Sequence, residues 1–313
     1  MGPPILLAVP NVSEGRDAQA IATIGAAFVA GAADGVRLLD IHSDADHHRS
    51  VFTLAGRPGH LAQALLRGAS VAVERIDVMA QGGRGVSERD REGAGQHPHV
   101  GALDVAPIVY LDREARGAAC AEALVLGDLI GEELGVPVFL YGELSGADTG
   151  SARTRAQLRR GGVVGLAARM AAGEERLVPD FGPPRLHRSA GATLVAARSP
   201  LVAFNLQLAP PANVQDARRV AALVRDSGEY GLPGVRAIGV ALGGGVAQVS
   251  MNVERPFEVS LASVLEAVSA HAAVAGAELV GLAPAAAFEG FPQDLPMPGF
   301  DPARHLIENA LGC

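Results

Sequence analysis

With 313 residues, 49% of them hydrophobic, the chain has material for two domains and a large buried core. Its formal charge of −8 lacks the basic footprint of a protein that neutralises a nucleic-acid backbone, so no nucleic-acid partner is expected. Every basic residue is arginine, and the missing lysine excludes a Walker A lysine, a lysine Schiff base and a lysine general base.

Short apolar runs alternate with longer amphipathic ones. Residues 5–9 read as a strand that stops at Pro10, 17–29 as a helix, 36–41 and 50–55 as strands, and 58–76 as a long helix. The stretch 80–105, rich in Gly, Arg, Glu, Asp and His, has no sustained period and reads as an ordered functional loop. A strand at 107–111, a helix at 114–134 and a strand at 137–141 follow. Prolines and glycines then cluster in Pro179-Asp180-Phe181-Gly182-Pro183-Pro184, where a second unit begins. Its strands at 193–197 and 201–208 read as a pair. Asn213 caps a helix through Val224, with Asp216 in the capping-box position. Residues 235–242 and 246–252 flank Gly243-Gly244-Gly245 as a hairpin, and a helix at 258–273 and a strand at 278–282 close the unit. Hairpins between helices exclude a purely parallel sheet. The expected class is α+β, two ferredoxin-like subdomains with mixed or antiparallel sheets and helices on one face.

No run of 18 apolar residues predicts a membrane span, and the N-terminus lacks the basic n-region of a signal peptide. Cys120 and Cys313 form no disulfide framework, so a cytoplasmic, reducing location is expected. Histidines cluster twice, at His42, His47 and His48 and at His97 and His99. Asp44, Asp46 and these histidines offer metal-ligand atoms, but their spacing matches no metal motif, and no metal is expected. Read alone, His97 is either an exposed loop histidine or a base whose backbone is constrained by Pro98. Arg49 is either a bidentate carboxylate clamp or half of a salt bridge to Asp44 or Asp46. Asn11, Ser13 and Glu14 are either site residues or the N-cap of the first helix. Gly82-Gly83-Arg84-Gly85 lacks the flanking strand and helix of a nucleotide fingerprint.

Seven segments occur in a telling order. They are Val9-Pro10-Asn11-Val12-Ser13-Glu14-Gly15, His48-Arg49-Ser50-Val51-Phe52-Thr53, His97-Pro98-His99-Val100-Gly101-Ala102-Leu103-Asp104, Val136-Pro137-Val138-Phe139-Leu140-Tyr141-Gly142-Glu143, Pro179-Asp180-Phe181-Gly182-Pro183, Ala203-Phe204-Asn205 and Ala247-Gln248-Val249-Ser250-Met251-Asn252. Together they resemble the glutamate formimidoyltransferase family, the formiminotransferase part of formiminotransferase–cyclodeaminase. The resemblance implies transfer of the formimino group from N-formimino-L-glutamate to tetrahydrofolate, the co-substrate, giving 5-formiminotetrahydrofolate and glutamate in histidine degradation and one-carbon metabolism. It implies a homodimer of two-subdomain protomers, with folate, polyglutamylated forms included, in a groove between the subdomains. The subdomains are expected at 1–179 and 180–300, with a C-terminal tail at 301–313 and no cyclodeaminase part.

The family's catalytic histidine maps to His97. Its folate stretch maps to Gly182, Pro183, Pro184, Arg185, Leu186, His187, Arg188, Ser189, Ala190 and Gly191. Because the electrophile is a cationic amidinium, Asp40 and Asp104 are candidates to orient it. Arg49, His48 and Asn11 are candidates to hold the donor. This chain departs from animal members at Gln96, where they have Glu, and at Ala190, where they have Trp. Alternatives are formyl transfer between N-formylglutamate and tetrahydrofolate, a metal-dependent hydrolase, and a non-catalytic folate-binding module.

Overall fold

Pro10 breaks the first strand in two, because proline has no N–H to give to a ladder. The computed structural model, which describes residues 4–31, 35–83, 98–146, 152–174 and 177–312, shows both halves. They are β1 (Leu6–Ala8) and β2 (Asn11–Val12). Helix α1 (Ala18–Phe28) follows, N-capped by the Asp17 side chain. Then come β3 (Arg37–Asp44), β4 (Arg49–Gly56), α2 (Leu61–Arg75), α3 (Val78–Gly83) and β5 (Leu103–Tyr110). The first unit continues with α4 (Arg116–Leu134), β6 (Val138–Leu140), α5 (Arg155–Arg159), α6 (Gly162–Ala171) and β7 (Thr193–Arg198).

The first sheet is mixed. β3 and β4 form its outer hairpin, β1 and β2 lie between β4 and β5, and all these neighbours are antiparallel. β7 then pairs parallel to β5 on one side and to β6 on the other. Every residue of β5 is buried, as expected of a strand covered on both faces. Alternation along β7 shows the two faces. Val195 and Ala197 join the main core with Phe28, Leu65 and Leu126 of α1, α2 and α4. Leu194 and Ala196 join a smaller cluster with Leu158 of α5 and Leu166 of α6. In this unit the helices therefore do not all lie on one face.

Three sequence expectations need correction. The segment 193–197 does not pair with the next strand; fully buried, it enters the first sheet as an interior parallel strand. The proline–glycine cluster does not begin the second unit. Asp180 N–H donates to Val138 O at 2.8 Å and Val138 N–H to Phe181 O at 3.0 Å, which straps the cluster along β6. The chain divides instead into Met1–Ser199 and Pro200–Cys313. The stretch 80–105 is not all loop either, since α3 reaches Gly83 and β5 starts at Leu103.

The second unit holds β8 (Val202–Leu208), α7 (Val214–Val224), β9 (Val235–Ala241), β10 (Ala247–Val253), α8 (Leu261–Ser269) and β11 (Val274–Val280). Its sheet is wholly antiparallel, in the order β11-β8-β10-β9. The Asn213–Asp216 capping box forms as read, and so does the hairpin around Gly243–Gly245. Short helices α9 (Pro302–His305) and α10 (Ile307–Leu311) belong to this unit, because Ile307 N–H donates to Ala283 O at 2.9 Å. The class is α+β with two sheets.

One buried carboxylate fastens two helices. His60, the N-cap of α2, offers no side-chain bond. Glu122 of α4, only 5% exposed, replaces it, accepting from Gly59 N–H at 2.5 Å and from Ala62 N–H at 2.6 Å. We expect Glu122→Ala to lower stability in urea unfolding by about 3 kcal/mol, since two N–H groups lose their partner. A loss below about 1 kcal/mol would contradict that role.

Candidate active site

Three chain segments and one helix end meet at a recess in the first unit. The first segment is the exit of β2. Ser13 N–H donates to Ala102 O at 3.0 Å, and its hydroxyl donates to Gly101 O at 2.7 Å. Glu14 accepts from Arg16 and Asp17 N–H at 2.7 and 3.0 Å, so it shapes the start of α1, while Asp17 is the cap itself.

The second segment is the turn between β3 and β4. Asp44 Oδ1 accepts from Asp46 N–H at 2.8 Å and His47 N–H at 2.9 Å, which tightens the turn. His47 Nε2 lies 3.7 Å from Asp44 Oδ2. The half-buried His48 and Arg49 follow at the recess. Arg49 faces Asp44 in the strand register but makes no ion pair with it; among the described residues nothing hydrogen-bonds its guanidinium.

The third segment enters β5. Asp104, 2% exposed, accepts Val100 N–H on Oδ1 at 2.8 Å. Its Oδ2 pairs with Arg159, from the end of α5. Pro98 and His99 border the same recess.

The electrostatics favour neutral imidazoles beside the two arginines. Burial lowers the pKa of His99; Asp104 opposes this, and Arg159 and His48 add to it. Burial also lowers that of His48, against the pull of Glu14. Arg49 is pushed down to about 10 by burial and by Arg159 and Arg155, with Asp104 and Asp44 opposing. It stays charged at neutral pH. A free guanidinium beside two neutral imidazoles can bind an anion and move a proton in one place.

The structure therefore brings together Arg49, His48 and Asp104 of the predicted residues. His97 lies outside the described residues, although Pro98, which follows it, lines the recess. Asn11 is buried on β2, opposite Val51 and Val105. Asp40 lies opposite Thr53 on β3, four residues from Asp44 and so roughly 13 Å along the strand; it does not reach the recess. The segment from Gly182 to Gly191 approaches at its far end. His187 and Gly191 exchange backbone bonds of 2.9 and 3.2 Å, and His187 Nδ1 accepts Ala190 N–H at 3.0 Å. Ala102 N–H then donates to Ala190 O and Ala192 N–H to Val100 O, both at 2.9 Å. Gly191 is required here: its φ is +69°, and a Cβ would lie 2.2 Å from Val100 O. Ala190 is buried in the core, not presented as a surface.

Sequence reasoning missed Arg159 and gave Ser13 no distinct role. Ser13 stood inside the first motif, which was a usable signal. Arg159 carries no local signal. Among the described residues, no group of three or more His, Cys, Asp or Glu is arranged to hold a metal ion.

His48 and His99 have folded pKa values below the ordinary 6.5. The unfolded chain therefore binds more protons on acidification, and the stability contributed by the two rings is complete above pH 6.5 and declines as pH falls through their lower folded values. Thermal unfolding from pH 7.5 to 5 should show this decline, and it should be smaller in His99→Gln. An equal decline in the variant would contradict a buried neutral His99.

The formiminotransferase domain, N-terminal subdomain, matches residues 5–198, ending one residue before the first unit does. The chain is 35% identical over 315 residues to glutamate formimidoyltransferase of Streptococcus pyogenes serotype M1, covering 98% of each. It is 32% identical to glutamate formimidoyltransferase of Thermoplasma acidophilum, over 88% of this chain and 87% of that one. It is also 34% identical to the formimidoyltransferase-cyclodeaminase of Gallus gallus, of whose length it spans 49%. On a match that covers most of the chain and a relative aligned over nearly all of it, the chain belongs to the formiminotransferase family.

Proposed function

We propose that the protein transfers the formimino group of N-formimino-L-glutamate to tetrahydrofolate, releasing glutamate and 5-formiminotetrahydrofolate. Near full-length kinship with two proteins named glutamate formimidoyltransferase carries this reading. The recess supports it, because the donor is an amidinium that bears carboxylates. The Arg49 guanidinium, charged and not hydrogen-bonded among the described residues, suits one of those carboxylates.

In this reading N5 of the folate attacks the amidinium carbon. The new N–C bond makes a tetrahedral intermediate with a proton on N5. His97 takes that proton and returns it to the glutamate nitrogen. The old C–N bond then breaks, and the amine leaves neutral. Such proton handling contributes roughly 10²–10⁴-fold. Asp104 is engaged by Val100 N–H and Arg159, so its role here is to hold the loop exit. His48 stands with Arg49 in the donor site, with Asn11 on the neighbouring strand β2, and 182–191 contacts the folate. The reading extends to a cytoplasmic homodimer that needs no metal.

The test is tetrahydrofolate-dependent release of glutamate from formiminoglutamate, with formylglutamate run beside it. Formiminoglutamate should be the better donor; the reverse order would favour formyl transfer. His97→Ala should lower kcat at least 100-fold, by about the contribution of a general base. Arg49→Ala should raise the donor KM by about tenfold or more. Near-normal turnover in the first variant, or an unchanged KM in the second, would remove the assigned role.

A further inference from the structure

His48 is held in two unusual ways. It is the single non-glycine residue with positive φ among the described residues, at +46°. A side chain there crowds the backbone, so the surrounding structure imposes this conformation. Its ring is fixed as well, because Nδ1 accepts the N–H of Gly15 at 3.3 Å. Gly15 is wedged in place; a Cβ on it would lie 2.1 Å from Asp44 O and 2.5 Å from Arg49 N. A ring nitrogen that accepts a hydrogen bond carries no proton, so the neutral ring bears its proton on Nε2. His48 lines the recess with Arg49. The end of the first motif thus sets the tautomer of a side chain in the second.

We propose that His48 determines donor specificity, giving Nε2–H to the same carboxylate of the amino-acid donor that Arg49 holds. The inference rests on the formimino-transfer reading and adds to it a second, uncharged donor. Charge argues for a neutral group here. Arg155 and Arg159 already lower the pKa of Arg49, with Asp104 and Asp44 opposing, and a further cation would add to the two arginines. Burial keeps the His48 ring neutral, although Glu14 Oε1 lies 3.6 Å from Nδ1. A guanidinium alone accepts many anions. A guanidinium joined by an N–H in a fixed position selects a planar carboxylate over a carboxamide, whose NH₂ would face a donor.

Two variants separate the ends of the ring. Asn tolerates positive φ, and its Oδ1 can replace Nδ1 toward Gly15 while the distal donor is lost. Gln can place an N–H near the old Nε2. His48→Asn should raise the KM for formiminoglutamate about tenfold, with a much smaller effect on kcat and on the folate KM, and His48→Gln should recover part of the loss. Wild type should discriminate against one of two donors, amidated at the α- or at the γ-carboxyl, and His48→Asn should lose most of that discrimination. The amide affected identifies the carboxylate. Nitrogen NMR of the histidine-labelled wild type should show the neutral Nε2–H form at pH 7. Calorimetric binding of glutamate to wild type and His48→Asn repeats the comparison without turnover. An Nδ1–H or doubly protonated ring, or equal donor KM and equal glutamate affinity in His48→Asn, would overturn the proposal. Absence of glutamate release by wild type would instead defeat the transfer reading, while the NMR and glutamate-binding results still judge His48.

Discussion

The backbone from Val100 to Asp104 is held from three directions, and the site depends on that hold. Ser13 grips Gly101 and Ala102 from β2. Ala190 and Ala192 bond Ala102 and Val100 from the other side. Asp104 folds back onto Val100 and is itself held by Arg159. Each bond is worth only about 1 kcal/mol, but an unpaired buried group costs more, so the arrangement is stable only when complete. A loop exit gripped this way becomes a fixed reference for the residues around it.

The same economy governs charge. Burying Asp104 is tolerable because a guanidinium and an N–H meet it. Arg49 sits near that pair yet outside it, and among the described residues nothing hydrogen-bonds its guanidinium. A chain whose cations are all arginine suits this division. The planar fork can close on a carboxylate within the core or present the same geometry to a ligand.

Local signals made much of the fold legible. Asn213 and Asp216 announced α7, and three glycines announced the β9–β10 hairpin. The boundaries failed where tertiary contacts decide. Ala270 to Ala273 favour helix, yet α8 ends at Ser269 and β11 begins at Val274. The start of β5 was obscured by Asp104, a charge made acceptable in a buried strand by a distant arginine and the Val100 N–H. The partners of β7 were unreadable because parallel pairing leaves no turn to mark it. The motifs marked Arg49, His48 and Asp104, which the fold brings to one recess. Arg159 stayed hidden, since its meaning lies wholly in what it reaches. The left-handed backbone of His48 was hidden too, being imposed by the fold and not by residue preference.

The interior position of β7 bears on how the first unit assembles. Thr193 bonds Leu103 O through its hydroxyl at 2.8 Å across 90 residues of sequence. The strand takes a central place between β5 and β6, so everything from β1 to α6 must be made before the sheet can close. Pairing over such a distance is slow, because loop entropy is lost before contacts return it. On a ribosome the chain would wait, with one edge of β5 unpaired, until Arg198 had emerged. The clasp at Val100–Ala102 forms with the same late segment, so the recess is among the last parts of the unit to take shape.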